Sequence, residues 1–73
     1  MTMYAIYYNP VEYPAAARYV VRKWHGIEGQ CVPQIEPTYV GLLISEARAS
    51  IPGGLVRLGR YQVDDPSIVE VWL

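Results

Sequence analysis

The residues most able to do chemistry are the single histidine, His25, and the single cysteine, Cys31. Together they could form a Cys–His pair, in which the imidazole takes the thiol proton and the thiolate attacks an electrophile. Such a pair needs cationic neighbours that lower the thiol pKa and a carboxylate that orients the imidazole. No motif in the sequence supplies them. We therefore expect no catalytic residue, an exposed or structural His25 and a buried Cys31.

Two further motifs could bind ligands. Asp64 and Asp65 could hold a metal ion or act as an acid–base pair, but they lack the alternating oxygen ligands of a calcium loop and precede a proline, so they favour a turn. Gly53 and Gly54 could form a phosphate loop, but they follow a predicted helix, so no helix N-terminus faces a ligand. The sequence predicts neither a metal nor a cofactor.

Aromatic residues give the strongest indication of function. The chain has seven Tyr, two Trp and no Phe, too many aromatic side chains to bury completely in 73 residues. Exposed Tyr, Trp and Arg together are typical of protein–protein hot spots. The candidate interaction residues are Tyr19, Arg22, Trp24, His25 and Trp72. Tyr19 and Trp24 could instead stack on the bases of single-stranded nucleic acid. The interleaved cations, extended by Arg57 and Arg60, would then contact its phosphates; they are Arg18, Arg22, Lys23 and His25.

Composition and charge limit the function classes. With 52% hydrophobic and 18% charged residues, the 73-residue chain is expected to fold as a single domain. A net charge of −1 provides no field that attracts phosphate backbones, so nucleic acid is a less favoured partner. The same low net charge opposes self-association only weakly. One cysteine, no signal peptide and no apolar run of membrane-spanning length predict a cytoplasmic protein.

The elements that must position these residues are mostly strands. Alternating apolar and amphipathic residues predict an interior strand at residues 3–8 and an edge or half-exposed strand at residues 19–25. A hairpin at residues 26–29 leads into an interrupted third strand that resumes at residues 38–40. Residues 55–58 are a short strand or an extended connection, and residues 67–73 form the last strand, with Val69, Val71 and Leu73 facing the core.

One helix is predicted at residues 42–51, with Gly41 as N-cap and Pro52 after its end. Its apolar stripe consists of Leu43, Ile44, Ala47 and Ile51. A helix of this length needs the sheet for stability. We therefore predict an α+β fold: a small antiparallel or mixed sheet of three to five strands with one short helix packed on one face, in the order β-β-β-α-β.

Three segments carry a resemblance to known sequences. They are residues 3–10 (MYAIYYNP), residues 46–55 (EARASIPGGL) and residues 64–72 (DDPSIVEVW). Together they resemble short uncharacterised bacterial proteins of mobile elements, such as phage accessory proteins or integron gene cassettes. The resemblance implies a small, often oligomeric protein that acts by binding, and it assigns no catalytic residue.

The sequence therefore favours a non-enzymatic interaction protein, either a homodimer formed through an aromatic sheet surface or a binder of another protein. A binder of a small ligand or of single-stranded nucleic acid is the alternative, using the same Tyr, Trp and Arg side chains. An enzyme dependent on His25 or Cys31 is the third hypothesis, because no acid–base or nucleophile arrangement is visible.

Overall fold

The computed structural model describes residues 2–11, 13, 18–58 and 67–73. These residues form an antiparallel six-stranded sheet and one short helix, which confirms the α+β class in outline. The elements are β1 (Thr2–Tyr8), β2 (Tyr19–Ile27), β3 (Gln30–Pro33), β4 (Tyr39–Gly41), α1 (Ile44–Ala49), β5 (Arg57–Leu58) and β6 (Ile68–Trp72). Most of the predicted loop after β1 and the predicted turn at residues 64–66 lie outside the described residues, as does Arg60.

The sheet has one strand more than the upper limit of the predicted three to five, because the third strand is divided. The interrupted third strand is two separate strands, β3 and β4, which pair with β2 on the edge that faces away from β1. The two-residue strand β5 pairs with β6. The order across the sheet is β3-β2-β1-β6-β5, with β4 also beside β2. The strand β2 is thus interior, because β3 and β4 pair with it, so the edge alternative is wrong. The half-exposed alternative is confirmed by the partial burial of residues 22–25.

The predicted hairpin between β2 and β3 is confirmed. Ile27 pairs with Gln30, so the turn consists of Glu28 and Gly29 alone. Both have positive φ angles, 49° and 80°, which is the backbone of a type I′ turn. Glycine adopts this conformation freely, whereas glutamate adopts it at a cost.

Residues 34–38 form a bulging loop between β3 and β4, here called the edge loop. Two hydrogen bonds hold its ends against β2. The N–H of Gln34 donates to the carbonyl of Lys23 at 2.9 Å, and the N–H of Thr38 donates to the carbonyl of Val21 at 2.8 Å. The edge loop therefore leaves the ladder only over its middle residues.

The hydrophobic cluster lies between the sheet and the helix, on what we call the helix side. Its buried members are Tyr4, Ile6, Val21, Ala47 and Ile51. The helix is shorter than predicted because the backbone is still extended at its N-cap, which is Leu43 and not Gly41. Leu43 is consequently exposed, so only the C-terminal part of the predicted stripe is buried.

The prediction for the face of β6 is wrong in part. A register shift in the pairing of β1 with β6 interrupts the alternation of side chains between the two faces, next to Val69. Val69 itself packs against the helix-side cluster, as predicted. Val71 is buried on the opposite side of the sheet, and Leu73 is exposed. Glu70 and Trp72 consequently lie on the helix side, where Glu70 is a buried charged residue.

Candidate functional site

The five predicted interaction residues lie on both faces of the sheet. Pairing and strand alternation place Tyr19, His25 and Trp72 on the helix side. Arg22 and Trp24 lie on the other face, here called the open face. All five are half-buried, and Tyr8 is the one exposed aromatic residue in the described part of the chain. The structure therefore does not gather them into one surface.

The helix-side candidates have structural contacts. The ring of Tyr19 lies 5.2 Å from that of Tyr8, centroid to centroid, and packs against the hydrophobic cluster. Trp72 packs against the same cluster. The amide nitrogen of Gln34 lies 3.1 Å from Nε2 of His25, and this contact is a hydrogen bond when the amide donates to a neutral ring. These contacts support a structural role for His25.

The structure separates His25 from Cys31. Cys31 pairs with Gly26, the neighbour of His25, so the two side chains point to opposite faces of the sheet. The thiol is free and exposed, so the expected burial of Cys31 is wrong. Exposure follows from the position of Cys31 on β3, an outer strand whose four residues are all exposed. The described residues thus contain no Cys–His pair.

The cations near Tyr19 and Trp24 are also divided. Arg22 faces the open side, whereas the ammonium of Lys23 lies 5.8 Å from the ring centroid of Tyr4 on the helix side. Arg57 is on β5, at the other edge of the sheet from β3, and its Nη1 lies 3.7 Å from a carboxylate oxygen of Glu70. The arrangement offers no single basic surface among the described residues.

Arg22 fastens the edge loop to the open face. Its Nη1 donates to the carbonyl of Gln34 at 2.6 Å and to that of Ile35 at 3.0 Å. Its Nη2 donates to the hydroxyl of Tyr13 at 3.0 Å. The planar guanidinium thus satisfies two carbonyl groups that have left the ladder and reaches the segment that follows β1. These partners are 9 to 13 residues away in sequence, so no local motif indicates them.

A pocket of about 220 Å³ lies on the open face beside Arg22. Its walls are formed by Tyr7, Pro10, Tyr13, Arg22, Trp24 and Pro33, together with Val20. Three aromatic rings and one cation therefore surround a single cavity. The indole N–H of Trp24 is buried and has no hydrogen-bond partner. This atom has almost no accessible surface, so it does not offer a donor to the cavity.

A second polar cluster connects the helix to the sheet around the Glu70 carboxylate. Arg48 donates to it from Nε, at 3.0 and 3.2 Å, and also from Nη2. The indole of Trp72 donates to Oε1 at 3.0 Å. Burial opposes ionisation of Glu70, but these hydrogen bonds and the charges of Arg48 and Arg57 outweigh it and lower the Glu70 pKa. The hydrogen bond to Glu70 likewise raises the pKa of Arg48. This cluster is a structural ion pair.

Within the described residues, neither a group of metal ligands nor a membrane-spanning helix is found. Within them, no three His, Cys, Asp or Glu side chains come together as metal ligands. Nor does the described part contain a helix long and apolar enough to cross a membrane.

In comparisons with known proteins, no family model, no curated protein and no solved structure gives a significant match to this chain.

Proposed function

We propose that this protein is a non-enzymatic interaction protein that forms a homodimer through the β3–β4 edge of its sheet. The distribution of apolar side chains carries this proposal. Ten large hydrophobic residues are exposed in the described part of the chain, whereas the buried apolar set has eight members, two of them alanines. Six of the exposed ten lie within residues 27–43 and form what we call the edge patch. They are Ile27, Val32, Ile35, Val40, Leu42 and Leu43.

The edge patch follows one border of the molecule. Val32 pairs with His25 on the helix side and Val40 pairs with Val20 on the open face, about 17 Å apart along β2, so the patch extends around the edge onto both faces. Ile35, which is 94% exposed, lies in the edge loop between them. Leu42 continues the patch from β4 toward the helix. Two copies related by a twofold axis would bring this patch against itself and bury both sets of side chains.

The apolar character of the edge patch supports self-association. A stable interface covers about 800 Å² on each partner. Burial of exposed apolar area is the main driving force of such association. A net charge of −1 adds little repulsion between copies.

The proposed surface differs from the aromatic one suggested by the sequence. Tyr19 and Trp72 contribute to packing beneath the helix, and Trp24 lines the pocket. Alanine at these positions would therefore change the fold or the pocket along with any interface. Aliphatic edge residues can be replaced without this complication, since their side chains project into solvent.

Light scattering on a sizing column, from low to high micromolar protein, tests this proposal. We expect the wild type to have twice the 8.3 kDa mass of the chain and the Ile35→Ser, Leu42→Ser double variant to be monomeric. Val56→Ser is the matched control because Val56 is 64% exposed but lies beside β5 at the opposite edge. This control variant should stay dimeric.

Two outcomes would contradict the proposal. A wild type that is monomeric over the whole concentration range would exclude the homodimer. Loss of the dimer in Val56→Ser, with the double variant still dimeric, would place the interface at the other edge. Circular dichroism spectra of all variants separate a lost interface from a lost fold.

A second candidate function is the binding of a small ligand by the Tyr, Trp and Arg side chains of the open face. The pocket beside Arg22 favours it, because three aromatic rings and one cation line the same cavity. Nothing comparable favours single-stranded nucleic acid, because Arg22 and Lys23 face opposite sides of the sheet.

We also propose a cytoplasmic location and an origin on a mobile element. The free, exposed thiol of Cys31 fits a reducing compartment. The mobile-element origin rests on the resemblance of the three sequence segments described above. Neither proposal affects the assignment of the edge patch or of the pocket.

A further inference from the structure

The edge loop presents one isoleucine on a firm support. The side chain of Ile35 is 94% exposed. Hydrogen bonds to β2 hold both ends of the loop, and Arg22 donates to the carbonyl group of Ile35 itself. Pro33 and Pro37 restrict the backbone on either side. A side chain held in this way loses little conformational freedom on binding, so Ile35 is suited to anchor a partner.

The pocket on the open face suits an aliphatic side chain. Two tyrosines, one tryptophan, two prolines and Val20 form its walls together with Arg22. The N–H of Trp24 has almost no accessible surface, and three of the five N–H groups of Arg22 already have acceptors. The walls therefore offer mainly ring faces. A volume of about 220 Å³ is below the about 300–1,000 Å³ of sites for drug-sized ligands but has room for one branched aliphatic side chain.

Ile35 and the pocket lie side by side on one surface. Arg22 bonds the carbonyl group of Ile35 and is also part of the pocket wall, as is Pro33, two residues before Ile35. A twofold axis that passes between the isoleucine and the pocket carries each Ile35 to the pocket of the other copy. The two insertions then occur together, as an isologous interface requires.

The size of a stable interface favours inclusion of the pocket. The edge patch lies within residues 27–43, which are fewer than the about 20–30 residues that a standard interface uses on each partner. The pocket adds residues of β1, of β2 and of the segment after β1 to the contact surface. Together the edge and the pocket walls reach the range that a stable dimer needs.

Charge at the rim of the pocket is complementary to the edge loop. The acceptors of Arg22 are all neutral, and in the described part of the chain no carboxylate lies within ion-pair distance of it. Glu36 follows Ile35 and is exposed. Insertion of Ile35 would bring this carboxylate to the rim of the partner's pocket, where Arg22 has the opposite charge. An exposed pair of this kind sets orientation more than affinity.

We propose that in the homodimer Ile35 of each copy inserts into the open-face pocket of the other. The proposal rests on the homodimer proposed above and specifies its central contact. The pocket thus binds a side chain of a second copy of this chain, and the edge loop is the segment that supplies it.

Nuclear Overhauser effects between two differently labelled copies test the insertion. One copy has ¹³C only in its isoleucine methyl groups, the other is unlabelled, and the concentration is one at which light scattering gives the dimer. We expect cross-peaks from the Ile35 methyl group of one copy to the ring protons of Trp24 and Tyr7 of the other. The spectrum of Ile35→Leu identifies the Ile35 signal by its absence.

Graded variants measure how much the inserted side chain contributes. Ile35→Val removes one methylene group from each copy and should raise the dissociation constant of the dimer about tenfold. Ile35→Ser should raise it at least about a hundredfold, since each dimer loses two inserted side chains. Ile27→Val is the matched control because it makes the same change in the edge patch outside the pocket contact, and its effect should be smaller.

The outcomes separate this proposal from the homodimer itself. A dimer whose Ile35 methyl group shows cross-peaks only to edge residues of the other copy would overturn the insertion but leave the homodimer standing. Equal effects of Ile35→Val and Ile27→Val would overturn it in the same way. A wild type that is monomeric at all concentrations would overturn both.

Discussion

Arg48 of the helix and Glu70 of β6 form an ion pair across 22 residues of sequence. The carboxylate is buried, whereas the Arg48 side chain is 44% exposed, so the ion pair lies at the rim of the interface between the helix and the sheet. The sheet supplies a second donor to Glu70, the indole of Trp72. This relationship explains why a charged residue stands in the middle of an apolar last strand.

The lowered pKa of Glu70 predicts acid sensitivity. A carboxylate whose pKa is lower in the folded state stabilises the fold above its unfolded pKa of about 4.3. This stabilisation is lost as the pH falls through the folded pKa. Glu70→Gln should therefore lower the free energy of unfolding by about 1–3 kcal/mol at pH 7 and flatten its dependence on pH below 4.3. Urea unfolding from pH 7 to pH 2 measures both effects.

The control for this prediction is Glu36→Gln, because Glu36 is exposed in the edge loop. Its pH profile should follow that of the wild type. A Glu70→Gln variant with the same slope as the wild type would mean that the Arg48 pair does not control acid unfolding.

Arg22 should stabilise the edge loop through geometry more than through charge. Lysine keeps the charge but cannot reach two carbonyl groups and a hydroxyl with one planar group. Arg22→Lys should therefore lower the free energy of unfolding by about 1–3 kcal/mol and speed hydrogen exchange at the Gln34 and Thr38 amides. Arg18→Lys, at an exposed position, is the matched control. Equal exchange rates in both variants would refute the anchoring role.

Gly41 should accept a side chain only if the Tyr39 ring moves. The ring and hydroxyl of Tyr39 occupy the position that a β-carbon on Gly41 would take. Gly41→Ala should displace this ring from its hydrogen bond with Glu46 and destabilise the protein by about 1–3 kcal/mol. Gly53→Ala adds a methyl group in open space and should be neutral or slightly stabilising. Thermal unfolding of the two variants gives the comparison, and equal midpoints would contradict the prediction.

The hairpin turn offers a stabilising substitution. Glu28 has a φ of 49°, a left-handed backbone that asparagine adopts more readily. Asparagine followed by glycine is also the preferred pair for a type I′ turn. Glu28→Asn should raise the free energy of unfolding by about 0.5–1 kcal/mol, measured by urea titration. Glu36→Asn, outside this turn, should show no gain; a gain of the same size would assign the effect to charge.

Local pattern was sufficient to predict most elements of the fold. Alternation located β1, β2 and β6, and the glycines and prolines of residues 26–37 indicated the hairpin and the interrupted third strand. Apolar spacing located the helix, because Ala47 and Ile51 do pack on the sheet. Its start was misplaced since Leu43 fits the apolar stripe by spacing but has an extended backbone.

The candidate sites depended on contacts that no local pattern contains. A register shift of one residue in β6 exchanged the faces expected for Val71 and Glu70. Arg22 finds its partners in the edge loop and in the segment after β1, and the pocket lies where that segment meets β2 and the end of β3. Sequence alone indicated Arg22 and Trp24 as binding residues but not the cavity they share.

The edge loop also limits how far copies of this chain can add to one another. An uninterrupted outer strand would be a template on which further chains add strand by strand, as in a fibril. Here the outer edge is cut into strands of four and three residues, and Arg22 holds the loop that separates them. This interruption disfavours growth by backbone pairing at this edge. Contacts between side chains remain open to two copies, so the loop that exposes Ile35 would keep the proposed homodimer a closed pair.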